Sequence, residues 1–210
     1  MIKTLTVGPL EVNCYIVWDQ ATREAFVIDP GGDADIIRRA IEREDLTVKY
    51  IVNTHGHFDH VGGDATLKER FGSRLAIHRG DAQLLADAHD HGVIFGVKLS
   101  PQPPPDELLE DGSVLKAGQL NLRVIHTPGH TVGGVCFYEE KEGLLFTGDT
   151  LFAGSVGRTD FPGGSFDDLM ASIRQKVLPL GDSVKVYPGH GPSSTIGMEK
   201  ASNPFITGAR

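Results

Sequence analysis

The chain has 210 residues, with 20 Lys and Arg against 28 Asp and Glu, a formal net charge of −8, and 40% hydrophobic residues. This length suffices for one substantial core, and no Pro- or Ser-rich linker divides it, so we expect a single domain over residues 1–210. The acidic balance without a basic tract argues against sequence-independent binding to nucleic acid.

Membrane and export signals are also absent from the sequence. No run approaches the roughly 18 consecutive apolar residues that span a bilayer, and the first five residues lack the apolar core of a signal peptide. We therefore expect a cytoplasmic protein that binds no membrane. In that compartment Cys14 and Cys136, both in strand-like segments, are expected to be reduced core residues.

Apolar patterning predicts an alternation of short strands and helices. Three antiparallel strands are predicted at 4–6, 13–18 and 24–28. A helix capped by Asp33 follows to about residue 44, with Ile36, Ile37, Ala40 and Ile41 as its apolar stripe. The later predicted elements are helix 64–71, strand 74–78, helix 81–88, an irregular proline-rich loop at 100–105, a helix 165–178 with a capping-box-like start at Ser165, and helix 196–201.

The densest cluster of metal-ligand residues lies at 54–60, which reads Thr-His-Gly-His-Phe-Asp-His. An apolar run at 50–52 precedes it and two glycines follow at 62–63, as is typical of a buried strand that ends in a tight loop. A polar surface loop that is rich in histidine by chance is the competing interpretation. It leaves the placement of the remaining histidines and aspartates unexplained.

The spacing within this segment differs from that of a helical zinc protease, whose histidines lie four residues apart. His55 and His57 are two residues apart, so on an extended backbone they share a side. Asp59 and His60 lie where the chain must turn, and they can reach a second position nearby. One loop can therefore serve two metal ions.

Three more ligand-type residues follow the same order of features: a short apolar run, then Pro or Gly, then the residue. They are His130 after the run at 122–125, Asp149 after 143–145, and His190 after 184–186. Pro and Gly end a strand and let the backbone turn, which exposes the next side chain at a sheet edge. Four instances, including the histidine-rich segment, indicate one metal centre built from strand ends.

On these segments, from 8–15 near the start to 203–205 near the end, the chain resembles the metallo-β-lactamase superfamily, within its glyoxalase II-like branch. The resemblance implies a four-layer αβ/βα sandwich with the metal site in a groove at one edge. It also implies a division of ligands: a first metal on His55, His57 and His130, a second on Asp59, His60 and His190, and Asp149 as the bridge between them.

The donor types agree with two divalent ions per chain. Imidazole and carboxylate suit zinc, our first expectation, and also iron or manganese, whereas the absence of thiolate donors argues against an iron–sulfur cluster. A carboxylate can ligate two cations at once, so an aspartate suits the bridge. Two metals about 3.5–4 Å apart turn water into a hydroxide nucleophile near neutral pH. Asp59 is a candidate catalytic residue that orients this hydroxide and accepts its remaining proton.

Several further residues have two open interpretations each. Asp29 either supports the histidine-rich segment 54–60, here called the metal loop, through hydrogen bonds or is a plain turn residue. Arg158 either binds a substrate carboxylate or pairs with Asp160 within its own loop. His89 and His91 either border the substrate or are solvated loop residues.

The resemblance leaves the substrate open. Glyoxalase II enzymes commonly place a lysine and an aromatic residue where this chain has Arg158 and Thr159, and longer ones append a helical glutathione-binding domain, whereas twenty residues follow His190 here. We expect thioester hydrolysis, with S-lactoylglutathione as the reference substrate. The main competing hypothesis is a persulfide dioxygenase with one iron on His55, His130 and Asp149.

A lactonase or β-lactamase with the same metals is a further hypothesis, and so is a non-catalytic metal-binding module. Structural metal sites are usually closed, which argues against the module. A redox di-iron protein of this superfamily usually carries glutamate where His57 stands, so that function is disfavoured.

Overall fold

A computed structural model describes residues 1–208. The first half of the chain builds a six-stranded sheet in the order β1-β2-β3-β4-β5-β6. Its strands are β1 (Ile2–Val7), β2 (Val12–Trp18), β3 (Glu24–Ile28), β4 (Thr47–Val52), β5 (Arg74–His78) and β6 (Glu107–Leu109). Neighbours are antiparallel from β1 to β3 and parallel from β3 to β6.

The second half builds another six-stranded sheet, in the order β14-β13-β10-β9-β8-β7. Its strands are β7 (Val114–Ala117), β8 (Leu120–His126), β9 (Val135–Glu139), β10 (Leu144–Gly148), β13 (Lys185–Pro188) and β14 (Ser194–Thr195). A small hairpin, β11 (Leu151–Phe152) with β12 (Ser155–Val156), lies between β10 and β13 in the chain.

The helices are short and connect the strands. They are α1 (Ala34–Arg43), α2 (Phe58–Val61), α3 (Asp64–Phe71), α4 (Ala82–Ala86), α5 (Ala88–Ile94), α6 (Phe166–Ser172), α7 (Ile196–Ser202) and α8 (Pro204–Thr207). A π-helical turn at Ile173–Val177 extends α6. Among residues 1–208, no helix is both long and apolar enough to cross a bilayer.

Alternating side chains in the strands divide the core into layers. In β2, Cys14 and Ile16 pack with the helices outside the first sheet, whereas Tyr15 and Val17 pack against residues of the second sheet such as Phe146. A third cluster packs the outer face of the second sheet against α6 and α7. The predicted four-layer αβ/βα sandwich is confirmed.

The predicted elements agree with the structure except in detail. Asp33 stands at the start of α1 but makes no side-chain cap, because its carboxylate instead accepts the Gly8 N–H at 2.8 Å. Ile36 is 44% exposed and lies outside the apolar stripe. Ser165 does cap its helix by accepting from the Asp168 N–H.

Two predicted features can be compared in more detail. The segment predicted as helix 81–88 forms two helices, α4 and α5, and the second continues to Ile94. Cys14 and Cys136 are buried and unpaired, as expected for reduced core residues. Burial raises the pKa of the Cys136 thiol to about 11, so this thiol stays protonated and inert.

Strand direction decides where the loops that carry the predicted ligand residues lie. β4 is parallel to β3 and β5, and β10 is parallel to β13. β8 also runs with β10, because both are antiparallel to β9. The carboxyl ends of these strands therefore meet at one edge of each sheet, and the segments that follow them are brought together.

His78, at the end of β5, and His126, at the end of β8, stack across the two sheets with ring centroids 4.1 Å apart and planes 14° apart. Burial, together with the charges of His126 and Arg79, lowers the pKa of His78 to about 4. The unfolded chain, in which histidine has a pKa near 6.5, therefore takes up this proton first as the pH falls.

We predict that His78 makes stability depend on pH between about 6.5 and 4. Its contribution is fully present above the unfolded pKa and is lost as the pH falls towards the folded pKa. Between pH 7 and pH 5, the wild type should therefore lose more unfolding free energy than His78→Asn, as measured by urea denaturation. Equal losses in wild type and His78→Asn would contradict the prediction.

Candidate metal centre

The loops after β4 and β8 bring three histidines together. The ligand nitrogens of His55, His57 and His130 all lie within 4.8 Å of one another. His130 Nε2 is 3.0 Å from His57 Nδ1, so these two rings point at a common position. This is the trio that the resemblance assigned to a first metal.

A second group forms beside it from α2 and the loop after β13. Asp59 Oδ2 lies 3.3 Å from His190 Nε2 and 3.7 Å from His60 Nε2. The ligand atoms of Asp59, His60 and His190 lie within 4.8 Å of one another. The second predicted trio is therefore also assembled.

Asp149 lies between the two groups and directs one oxygen to each. Its Oδ2 is 3.5 Å from His130 Nε2. Its Oδ1 is 3.5 Å from His60 Nε2 and 3.9 Å from His190 Nε2. The structure thus places all seven predicted side chains at one centre, with Asp149 in the bridging position; their action as ligands stays a prediction.

Hydrogen bonds behind the rings determine which nitrogen faces the centre. Asp29 accepts from the Thr54 N–H and hydroxyl, each at 2.7 Å, and its Oδ2 lies 3.0 Å from His60 Nδ1. The Thr54 hydroxyl is in turn 3.0 Å from His55 Nδ1. Asp29 therefore supports the metal loop, the first of its two interpretations.

His130 is oriented in the same way by a backbone group. Its Nδ1 lies 2.7 Å from the Arg158 carbonyl oxygen, which can only accept a hydrogen bond. Nδ1 therefore carries the proton, and the lone pair of Nε2 faces the centre. Partners of this kind fix the tautomer of a metal-binding histidine.

Three atoms that face the centre are buried without any hydrogen-bond partner: His55 Nε2, His60 Nε2 and Asp149 Oδ1. A buried polar atom without a partner costs about 1–3 kcal/mol. Divalent cations held by the two groups would replace any proton on these atoms and accept their electron pairs. With imidazole and carboxylate donors and no thiolate, the residues present fit a pair of zinc, iron or manganese ions.

The electrostatics of the two groups differ. Burial and neighbouring imidazoles lower the pKa of His55 well below its usual range, and burial with His130 lowers the pKa of His57 to about 3. Burial also opposes protonation of His60, but Asp59, Asp149 and Asp29 outweigh it and raise its pKa to about 10. His55 and His57 thus offer neutral nitrogen donors, whereas three carboxylates surround His60.

Asp81 is a buried carboxylate that sequence patterns did not single out. It accepts from the Gly56 N–H at 3.0 Å, the Thr131 hydroxyl at 2.7 Å and the Gly133 N–H at 2.6 Å. It therefore fastens the loop of His55 and His57 to the loop of His130. A usable signal existed, because Asp81 also follows an apolar strand and a glycine, Gly80.

The opening segment of the chain holds the loop of His190. Asn13 Nδ2 donates to the Pro188 carbonyl at 3.1 Å and the Gly191 carbonyl at 2.8 Å, and the Tyr15 hydroxyl donates to Pro188 at 2.6 Å. Glycine is required at position 189, since a Cβ there would overlap Asp149 Oδ1 and the His60 ring.

The centre opens into a cleft of about 560 Å³. The lining residues are Leu10, His57, Phe58, Asp59, Leu84, His91, Phe95, His130, Asp149, Arg158, Phe161, Pro162 and His190. His91 therefore borders the cleft, whereas His89 instead bonds the Leu99 carbonyl oxygen. Both belong to α5, so the interpretation of the pair as solvated loop residues is wrong.

Arg158 is engaged within its own loop. Its Nε and Nη2 donate to the two carboxylate oxygens of Asp160, each at 2.7 Å. The guanidinium also lies 3.9 Å from the centroid of the Phe161 ring. The geometry favours the second interpretation of Arg158, as a residue that fastens the loop.

Comparisons with known proteins agree with this fold and site. The Metallo-beta-lactamase superfamily matches residues 7–195. Hydroxyacylglutathione hydrolase GloC of Haemophilus influenzae is 40% identical over 207 residues, which span 98% of this chain and 97% of that protein. The chain belongs to the metallo-β-lactamase superfamily.

Two crystal structures are similar over nearly the whole chain. BLEG-1 B3 metallo-beta-lactamase is 40% identical with a TM-score of 0.93, and the match covers 99% of this chain and 100% of that one. TTHA1623 in a di-iron-bound form is 36% identical with a TM-score of 0.89, over 97% of this chain and 99% of that one.

We predict that Asp29→Asn weakens metal binding by about 10- to 100-fold, the range for partners that orient metal ligands. The amide keeps one acceptor oxygen, so it cannot accept both from the Thr54 N–H, which bonds Oδ1, and from the two groups that bond Oδ2, the Thr54 hydroxyl and His60. Metal content after dialysis against a graded chelator measures the effect. Asp33→Asn is the control because the Asp33 carboxylate bonds the Gly8 N–H rather than a ligand-type side chain; equal retention in both variants would contradict the role of Asp29.

We predict that Asp81→Ala lowers the unfolding free energy by about 2–4 kcal/mol, because three buried donors lose their acceptor. Chemical denaturation of the metal-loaded protein measures this. Asp87→Ala, between α4 and α5, should change stability by less than about 0.5 kcal/mol. A loss no larger in Asp81→Ala than in this control would show that Asp81 does not join the loops.

Proposed function

We propose that this chain is a two-metal hydrolase that cleaves thioesters. The observation that carries the proposal is Asp149, whose two oxygens face two separate groups of ligand-type side chains. Two bound divalent ions supply a hydroxide nucleophile near neutral pH and polarise a substrate carbonyl. Zinc, iron or manganese suits the donors, and the di-iron form of a relative supports iron as one occupant.

The protein's own residues orient the reacting groups. Burial would raise the pKa of Asp59, but His60 and His190 lower it, so this carboxylate is ionised at neutral pH. Asp59 also lines the cleft, where it can accept a hydrogen bond from the nucleophile and hold it towards the substrate. His57 and His130 line the same cleft.

Thioester cleavage suits the lining of the cleft better than amide cleavage. A thiolate is a stable leaving group near neutral pH, whereas an amine leaves only after a general acid protonates it. Among the described residues that line the cleft, His91 is the one histidine outside the two metal groups, so it is the one imidazole left to serve as a general acid. A thioester does not need this acid. The name of the Haemophilus relative, a hydroxyacylglutathione hydrolase, supports the same reaction class.

A β-lactam hydrolase is the second candidate. It is supported by the similarity to BLEG-1 B3 metallo-beta-lactamase, which matches this chain at the same 40% identity. The mono-iron persulfide dioxygenase is less well supported, because Asp59, His60 and His190 form a complete second group that a single iron would leave unused.

We predict that Asp149→Ala reduces thioester turnover by more than about 10³-fold, because both groups would lose the carboxylate that faces them and would hold the ions. Turnover of a thioester panel and metal content per chain are measured together. Asp167→Ala, an exposed position on α6, is the control and should keep both values.

Two results would count against the proposal. Wild-type turnover in Asp149→Ala would refute the bridging role. One iron per chain, with oxygen uptake on a persulfide and no thioester turnover, would replace the hydrolase with the dioxygenase.

A further inference from the structure

A row of aromatic rings extends from the metal centre along one wall of the cleft. The Phe161 and His57 rings lie edge to face with their centroids 5.6 Å apart. The Phe95 and Phe161 rings are also edge to face, with centroids 6.3 Å apart. Phe95 in turn stacks on Phe58 at 5.3 Å. We call Phe58, Phe95 and Phe161 the aromatic wall.

The outer part of the cleft exposes apolar surface to solvent. Phe95, next to the end of α5, is 58% exposed, and Leu10, between β1 and β2, is 47% exposed. Both line the cleft, although they come from distant parts of the chain. Large apolar side chains that converge on a cleft with a few polar groups are typical of a ligand site.

The charges along the cleft do not suit an anionic substrate arm. Among the described residues that line it, Arg158 is the one permanent cation. Its guanidinium already donates to both carboxylate oxygens of Asp160. A glutathione thioester carries two carboxylates, which need cationic partners to bind well.

We infer that the cleft selects thioesters whose non-reacting arm is uncharged and apolar, an aryl or branched alkyl group that packs on the aromatic wall and Leu10. This inference rests on the proposed thioesterase function. It makes Phe95 a residue that determines substrate specificity. A charged tripeptide carrier such as glutathione is the poorer substrate.

The test uses metal-loaded enzyme and two matched pairs of thioesters. The acetyl thioesters of benzyl mercaptan and of glutathione differ in the thiol arm. The phenylacetyl and acetyl thioesters of N-acetylcysteamine differ in the acyl arm. We expect kcat/KM to be about tenfold higher for the aromatic member of at least one pair, since a hydrophobic contact discriminates by about 10- to 200-fold. The pair that responds shows which arm packs on the wall.

Variants connect this preference to the wall. Phe95→Ala should reduce the aromatic preference by about tenfold, mainly through KM, and Leu10→Ala should act in the same direction from a different part of the chain. Ile94→Ala is the matched control, because Ile94 is adjacent, 76% exposed and outside the cleft lining. Asp160→Asn releases Arg158 and should raise kcat/KM for the glutathione thioester by about two- to fivefold.

The inference is overturned if the wild type prefers the glutathione thioester to the benzyl one and shows no preference in the acyl pair. It is also overturned if Phe95→Ala and Leu10→Ala both match Ile94→Ala. These outcomes differ from failure of the proposed function, which would be the absence of hydrolysis of every thioester by the metal-loaded wild type.

Discussion

The hydrogen bonds of the Asp29 carboxylate are the interaction on which the metal centre depends. Asp29 ends β3, and it receives donors from Thr54, which follows β4, and from His60 in α2. These bonds assign the Nδ1 proton of His60 directly, and that of His55 through the Thr54 hydroxyl. The remaining nitrogens can then face only the centre. One buried carboxylate thus converts two adjacent loops into a directed set of donors.

The same kind of polar contact joins the two sheets at the edge that carries the site. Asp81 ties the first half of the chain to Thr131 and Gly133 in the second, and Asn13 reaches the Pro188 carbonyl. Between the sheets, the core itself is built from apolar side chains. Because the ligand-type side chains come from both halves, they meet only when the sheets have packed, so folding and assembly of the site are one event.

The sequence allowed the seven metal-centre residues to be predicted, because the segments that carry them follow strands, and parallel strands end at one edge. It could not show which of several possible partners a side chain bonds in the folded chain. The Asp33 carboxylate accepts from the Gly8 N–H instead of capping α1, and the Arg158 guanidinium donates to Asp160 instead of facing a substrate. α5 was missed for a related reason: its seven residues, with a glycine and two histidines, carry little helical signal and rely on tertiary contacts.

The centre and the cleft wall place different physical demands on the chain. The side chains of a metal or catalytic site work only when they are held within about 0.5 Å of the productive geometry. Strand ends with buried hydrogen-bond partners provide that rigidity. Burial of an apolar arm needs area rather than direction, and Phe95 next to the short helix α5 and Leu10 in a turn can provide it. Substitutions in the wall can therefore change the substrate while the Asp29 and Asp81 contacts, and with them the reaction class, stay the same.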